Sequence, residues 1–217
     1  MDKTPYHHGD LRNALLDTAR GVVERDGAEA LSLRSLAEDL GVSRAAPYRH
    51  FADRDALLAE IAASGFEDHV AAYQAFLDTD MDGRDRIALT TRFYLDYAAR
   101  RPGLHRLMFE SDLLARTPPP AVLIPPADRS YRLLVEIVRQ AFPGESEDAT
   151  LARAITAIST TIGFLTLRGA GRFKPFMRGG LSDADIEAAI IAAVSNQSAA
   201  APLAVGSICA PSTPGSQ

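Results

Sequence analysis

"GVSRAAPYRHF", Gly41–Phe51, decides how the N-terminal part of this 217-residue chain is read. Tyr48, Arg49, His50 and Phe51 have the composition of one polar, aromatic helical turn, yet Pro47 stands directly before them. Inside a helix a proline removes one hydrogen bond and its ring clashes with the preceding turn. The stretch is therefore either a loop or a helix made to begin there. The flanks favour the second reading. Gly41 suits the left-handed position that closes a preceding helix. Ser43 suits the N-cap of a following one, whose first-turn N–H groups have no intrahelical partner in any case. A short helix from Ser43 through about Phe51 is expected, with Pro47 in its first turn.

Working outward, the apolar residues keep helical rather than alternating spacing. Upstream, Ser32 is the expected N-cap of a helix carrying Leu33, Leu36, Ala37 and Leu40 on one side. Leu11, Leu15, Ala19, Val22 and Val23 mark an earlier helix that stops at Asp26-Gly27. Downstream, Asp53 is placed to cap a longer helix with Leu57, Leu58, Ile61, Ala62 and Phe66 on its apolar side. Further helices are expected over Ile87–Ala99, Leu104–Leu114, Ser130–Phe142 and Asp148–Leu167. A last one, opened by a Ser182–Asp185 capping box, runs to about Val194. Proline-rich Arg116–Asp128 and glycine- and arginine-rich Arg168–Gly180 are expected to be loops. Residues 195–217 lack periodicity and are expected to form a disordered tail. No convincing strand pattern occurs, so the fold class is all-α.

Two short helices joined through a glycine have the form of a helix-turn-helix, in which the second helix enters the DNA major groove. That geometry gives a meaning to the composition of the stretch. Ala45 and Ala46 are small enough to let the backbone approach DNA closely. Arg44 can reach guanine O6 and N7 or a phosphate, and Tyr48, Arg49 and His50 can bond phosphates. Arg54 extends the cationic strip, and Ser32, Ser43 and Pro47 are also expected at the DNA, Pro47 either touching a thymine methyl or only shaping the backbone. Within Ser43–Arg54 Asp53 is the one acidic residue, a locally basic segment in a chain of net charge -5. The overall acidity argues against indiscriminate nucleic-acid binding and for a local patch. The competing reading is a solvated surface on an ordinary helical core.

"LSLRSLAEDLGVSRAAPYRHFADRDALL", Leu31–Leu58, resembles the N-terminal domain of TetR-type transcriptional regulators, with its Gly-Val-Ser turn, Tyr-x-His-Phe segment and Leu-Leu pair. "YHHGDLRNALL" (Tyr6–Leu16) and "RPGLHRLMFE" (Arg101–Glu110) resemble a subgroup named for a Trp-His-Gly motif in its C-terminal domain. At the motif itself this chain has Ile158-Ser159-Thr160-Thr161-Ile162-Gly163, keeping the glycine alone, and it contains no Trp. Whatever that Trp and His do in relatives does not transfer. The resemblance implies an N-terminal three-helix DNA-binding domain, residues 1–55, and a helical-bundle ligand and dimerisation domain, residues 56–194. It further implies a homodimer on a palindromic duplex DNA operator, and an effector of unknown identity that alters the spacing of the two recognition helices.

Phe93, Tyr97, His105, Met108, Phe109, Tyr131 and Phe164 are candidates for lining an effector pocket, with plain core packing as the alternative for each. Ile155, Ile158, Ile162 and Leu165, with Ile186, Ile190 and Ile191, form either a four-helix dimer seam or an intrasubunit core. His7 and His8 read better as part of a solvated arm, with Lys3 near DNA, than as metal ligands. No nucleophile–base–acid set, cofactor fingerprint or metal spacing is present, so no enzyme, cofactor or metal is expected. The single cysteine, Cys209, fits a reducing compartment. The N-terminal residues lack the apolar region of a secretion signal, and no uninterrupted apolar run reaches bilayer length, so a cytoplasmic location off the membrane is expected. A ligand-responsive DNA-binding repressor is the leading expectation, and a helical interaction module without DNA binding is the alternative.

Overall fold

The computed structural model describes residues 11–196, which are helical and contain no strand. The expected N-terminal arm with His7 and His8, and the tail from residue 197, lie outside them. The elements are α1 (Leu11–Asp26), α2 (Leu33–Asp39), α3 (Arg54–Leu77), α4 (Gly83–Arg100) and α5 (Pro102–Phe109). They continue with α6 (Ile124–Ala141), α7 (Glu147–Gly169), α8 (Pro175–Arg178) and α9 (Asp183–Ser195). Single 3₁₀ turns occur at Ala28–Ala30 and Pro47–Arg49.

Local chemistry explains several boundaries. Asp53 accepts a hydrogen bond from Ala56 N at 2.7 Å and starts α3. Ser182 and Asp185 form the reciprocal capping box that opens α9. Arg86 closes the far end of α3: its buried guanidinium donates to the carbonyls of Phe76, Thr79 and Met81 and to Gln140 Oε1. The Thr79 and Met81 carbonyls lie beyond the helix end, where no intrahelical donor reaches them, while the Phe76 carbonyl also accepts from Thr79 N and the Thr79 hydroxyl.

Three expectations are corrected. The third helix is not one: between Gly41 and Phe51 the only regular element is the 3₁₀ turn at Pro47–Arg49. Pro47 has no N–H for the Ser43 carbonyl, which instead accepts from Ala46 N at 2.9 Å, so that bond closes three residues apart. α6 begins at Ile124, inside the stretch expected to be loop, because Pro125 and Pro126 fall in its first turn where no N–H is needed. The loop after α7 contains the single-turn helix α8, also opened by a proline.

α3 is the axis of the molecule. Its first half shares a core with α1, α2, Phe51 and α5, including Leu15, Leu36, Leu57, Ile61, Leu104 and Leu107. Its second half contributes Tyr73 to a core with α6 and α7. A third cluster joins Tyr94, Leu95 and Ala98 of α4 to Phe164 and Leu165 of α7. The first core draws on α1, α2, α3 and α5 together, because α5 packs directly on α1. α7 is long and apolar enough to cross a membrane by length and composition, yet it packs on α6, α4 and α9.

Candidate nucleic-acid interface and regulatory cavity

α2 ends in a Schellman motif. Gly41 adopts φ 66, Gly41 N donates to Glu38 O, and Val42 N donates to Ala37 O. A left-handed residue is required there, and glycine adopts that conformation without steric cost. The chain then turns through Ser43–Ala46 into the 3₁₀ turn, whose Pro47 carbonyl accepts from both His50 N and Phe51 N at 3.0 Å. Pro47 and Phe51 are buried and anchor the segment on the core. Ser43, Arg44, Ala45, Tyr48, Arg49 and His50 are all exposed, Tyr48 at 56%. Two inward anchors thus hold six outward side chains on one short, tightly bonded segment.

The remaining expected residues have internal partners. Ser32 is exposed but makes no side-chain cap to α2; its carbonyl accepts from Leu36 N and from the Ser35 hydroxyl. Ser43 likewise acts through its carbonyl rather than as a side-chain cap. Arg44 approaches Glu38 at 3.3 Å, and Arg34 shares the same carboxylate oxygen. Both pairs are largely exposed, where an ion pair contributes only ~0–1 kcal/mol and is readily exchanged. Arg54 donates from Nη2 to Ala28 O at 2.7 Å and from Nε to Leu31 O at 3.1 Å, tying the start of α3 to the α1–α2 connection. Arg54→Ala is expected to lower stability by about 1–2 kcal/mol, since it removes charge-assisted bonds to backbone carbonyls. Urea denaturation checks this. Unchanged stability with weakened DNA binding would instead put Arg54 on the DNA.

A second feature lies between α3, α4, α6 and α7. It is a cavity of about 90 Å³ lined by Phe66, His69 and Tyr73 of α3, Thr90, Thr91 and Tyr94 of α4, and residues of α5, α6 and α7. Of the seven residues expected at a pocket, Phe109 and Tyr131 line it. Met108 is core, packed against Gly65. Phe93 and Tyr97 line a surface recess with Asp68, which accepts the Tyr97 hydroxyl at 2.9 Å. His105 lies 3.1 Å from the Tyr94 hydroxyl, and Phe164 packs on Phe173.

His69 is not among the residues singled out from sequence, although its spacing to Phe66 and Tyr73 places all three on one face of α3. Desolvation lowers the His69 pKa to about 3 and the His105 pKa to about 4, with neighbouring positive charge adding to the shift. Burial also raises the Tyr73 and Tyr94 hydroxyls above their ordinary range. Of the expected seam residues, Ile155 is 55% exposed, Ile158, Ile162, Ile186 and Ile190 are half-buried, and Leu165 is buried among the third core cluster. Among the described residues no group of three His, Cys, Asp or Glu side chains could hold a metal ion.

Residues 15–61 match the family model of bacterial regulatory proteins of the tetR family, and residues 87–194 match the tetracyclin repressor-like C-terminal domain. A solved protein of unknown function from Rhodococcus sp. RHA1 is 31% identical, with a TM-score of 0.73 over 89% of this chain and 97% of that one. The TetR family regulator PfmR from Thermus thermophilus has the same fold at a TM-score of 0.60, with 21% identity over 83% of this chain and 96% of that one. Nucleoid occlusion factor SlmA of Vibrio vulnificus (strain YJ016) is 34% identical over 95 residues, which are 41% of this chain and 48% of that protein. The chain spans about half the length of the curated relatives it matches. With one family model on the N-terminal helices and the other on the C-terminal helices of a single fold, the chain belongs to the tetR family of bacterial regulatory proteins.

Proposed function

We propose that the protein is a homodimeric repressor that leaves a palindromic operator when a small molecule enters its C-terminal helical domain. The observation that carries this reading is the exposed Arg44, Tyr48, Arg49 and His50 array on a segment anchored from within by Pro47 and Phe51. Rigid presentation lowers the entropy lost on docking, and cations at exposed positions release counterions from DNA phosphates. In an acidic chain that array is the local patch a DNA contact requires.

The division of labour we favour is DNA binding by residues 1–55 and effector binding and dimerisation by residues 56–194. Dimerisation is assigned to α7 and α9, whose outer faces expose Ile155, Ala188, Ala189, Ala192 and Ala193. Small and apolar side chains at helical spacing allow two helix pairs to approach closely as a four-helix seam. Ile155 supports that role most directly; the buried Leu165 serves the subunit's own core. Such a dimer would present two recognition segments to half-sites ~34–36 Å apart or a multiple of that distance. A shift of a few ångströms would break simultaneous contact. α3 is the lever we assign, since it carries Phe66, His69 and Tyr73 on the cavity and Arg54 at the DNA-binding end. No catalytic role is assigned.

Selection of bound duplex from a random pool by the purified protein tests the reading. Enrichment of a palindrome by a dimeric species supports it. Absence of enrichment, with affinity insensitive to salt, would favour a helical interaction module instead. Pro47→Ala makes a narrower expectation. Because the ring is buried, it shapes the segment rather than touching bases, so affinity should fall several-fold while base preference stays the same. A changed preference in the same selection would put Pro47 on the DNA.

A further inference from the structure

The cavity that His69 lines has a definite chemistry. None of its lining side chains is a carboxylate, an ammonium or a guanidinium. The Thr90, Thr91 and Thr161 hydroxyls already donate to the carbonyls of Arg86, Ile87 and Ala157 in their own helices at 2.7–2.8 Å. The Tyr94 hydroxyl is engaged with His105. The Tyr73, Ser130 and Tyr131 hydroxyls line the cavity as well, and His69 Nε2 differs from all of these groups. It is fully enclosed and has no hydrogen-bond partner, in a residue that is 1% exposed. Around the ring stand Phe66, Tyr73, Phe93, Tyr94, Tyr97 and Phe109, with centroids 4.7–6.4 Å from its own. Buried polar atoms in folded proteins are nearly always paired, and an exception calls for an explanation.

We propose that this cavity binds a compact, uncharged molecule with a single apolar ring and one hydroxyl, which donates to His69 Nε2. The proposal rests on reading the C-terminal domain as an effector domain and adds what that effector is like. The ring belongs among the aromatic walls of α3, α4 and α5, where edge-to-face contacts are available. The enclosed nitrogen that the fold leaves unpaired has almost no surface open to the cavity, so the ligand hydroxyl reaches it as the helices part. A charge is excluded by the walls, since no countercharge lines the cavity and an isolated buried ion is costly. His69 itself offers none, because desolvation keeps its ring neutral near pH 7. At about 90 Å³ the space is smaller than the ~150 Å³ apolar cavity known to take benzene. A ring therefore fits only if the helices part slightly, and the three α3 residues on the wall couple that displacement to the helix leading to the DNA-binding segment.

The test uses the full chain and four probes of similar size, namely phenol, toluene, benzoate and benzylammonium, titrated by calorimetry. Phenol should bind at least tenfold more tightly than either ion. His69→Phe, which keeps an aromatic ring and removes the nitrogen, should weaken phenol at least tenfold while leaving toluene within about twofold. Equal binding of benzoate and phenol, or a phenol affinity untouched by His69→Phe, would overturn the proposal. So would failure of both neutral probes to bind. Should the variant fold poorly, ¹⁵N spectra of the unmodified protein give the same answer: phenol must shift the His69 Nε2 resonance, and an unmoved resonance refutes the assignment. Release of the selected duplex is measured separately. Phenol that binds without releasing DNA leaves the cavity assigned and refutes only its role in repression.

Discussion

Arg44→Ala is expected to lower operator affinity by about 30-fold to 10⁴-fold and to leave the isolated protein unchanged. A bidentate contact to a base contributes ~1–3 kcal/mol, and a symmetric dimer makes it twice. Removing the exposed Arg44–Glu38 pair costs the fold little, as such pairs contribute ~0–1 kcal/mol. Melting temperature and sedimentation should therefore match the parent protein. Salt dependence separates two modes of recognition. Where Arg44 meets a phosphate, its removal from both subunits reduces the slope of log affinity against log salt by ~1.8, at ~0.9 per phosphate. Where it meets a base, discrimination relaxes at one position of each half-site instead. Tyr48→Ala should act in the same direction but less, by roughly 5-fold to 150-fold, at about 0.5–1.5 kcal/mol for each neutral hydrogen bond removed. Gel-shift titrations of both variants against the selected palindrome provide the check. Unchanged affinity for either would remove that residue from the interface.

Gly103→Ala is expected to lower stability by about 1–3 kcal/mol and to loosen the joint between the two ends of the molecule. A methyl at this position would stand 2.2 Å from Val23 O and 2.6 Å from Glu24 Cα, both backbone atoms of α1 that no rotamer change can clear. α5 must move off α1. In doing so it strains the Glu24 carboxylate, which accepts from Gly103 N at 3.0 Å and Leu104 N at 3.1 Å and so caps α5 from the DNA-binding end. For a chain of this size the melting temperature should drop by roughly 2–12 °C. Gly21→Ala is the control, in the same α1 and with nothing within 4 Å of the added carbon. There the substitution should stabilise by about 0.5–1 kcal/mol, as expected for alanine in an exposed helix interior. Equal melting temperatures for the two variants would show that the α1–α5 contact is not tight.

These two positions differ in how far the sequence announces them. Arg44 is evident from its place after Gly41-Val42-Ser43, where local rules of capping and composition apply. Gly103 follows Pro102 and reads as a plain helix start; its close approach to α1 depends on a helix far earlier in the chain. The same contrast holds elsewhere. Asp53 and the Ser182–Asp185 capping box are legible because a cap bonds a backbone only a few residues away. The segment at Pro47 has the pattern of a helix and folds as one 3₁₀ turn, because the missing N–H decides which carbonyl is reached, a matter of a single bond. α6 starts earlier than its pattern indicates, because prolines in a first turn look the same in sequence as prolines in a loop.

The sequence by itself determined that the chain is all-α, where most of its helices begin and end, and which short segment carries exposed cations beside an aromatic hydroxyl. Periodicity, caps and breakers act over a few residues, so they are written in consecutive positions. Only the tertiary structure decided which aromatics are packed and which border a space. Phe93, Met108 and Phe164 have the same apolar character and helical spacing as Phe66 and Phe109, and nothing in either property distinguishes a wall from a core. A cavity is what remains when five helices from distant parts of the chain fail to fill the volume between them. His69 became visible for the same reason: its unpaired nitrogen is defined by the absence of any partner from those helices, and no local pattern records it.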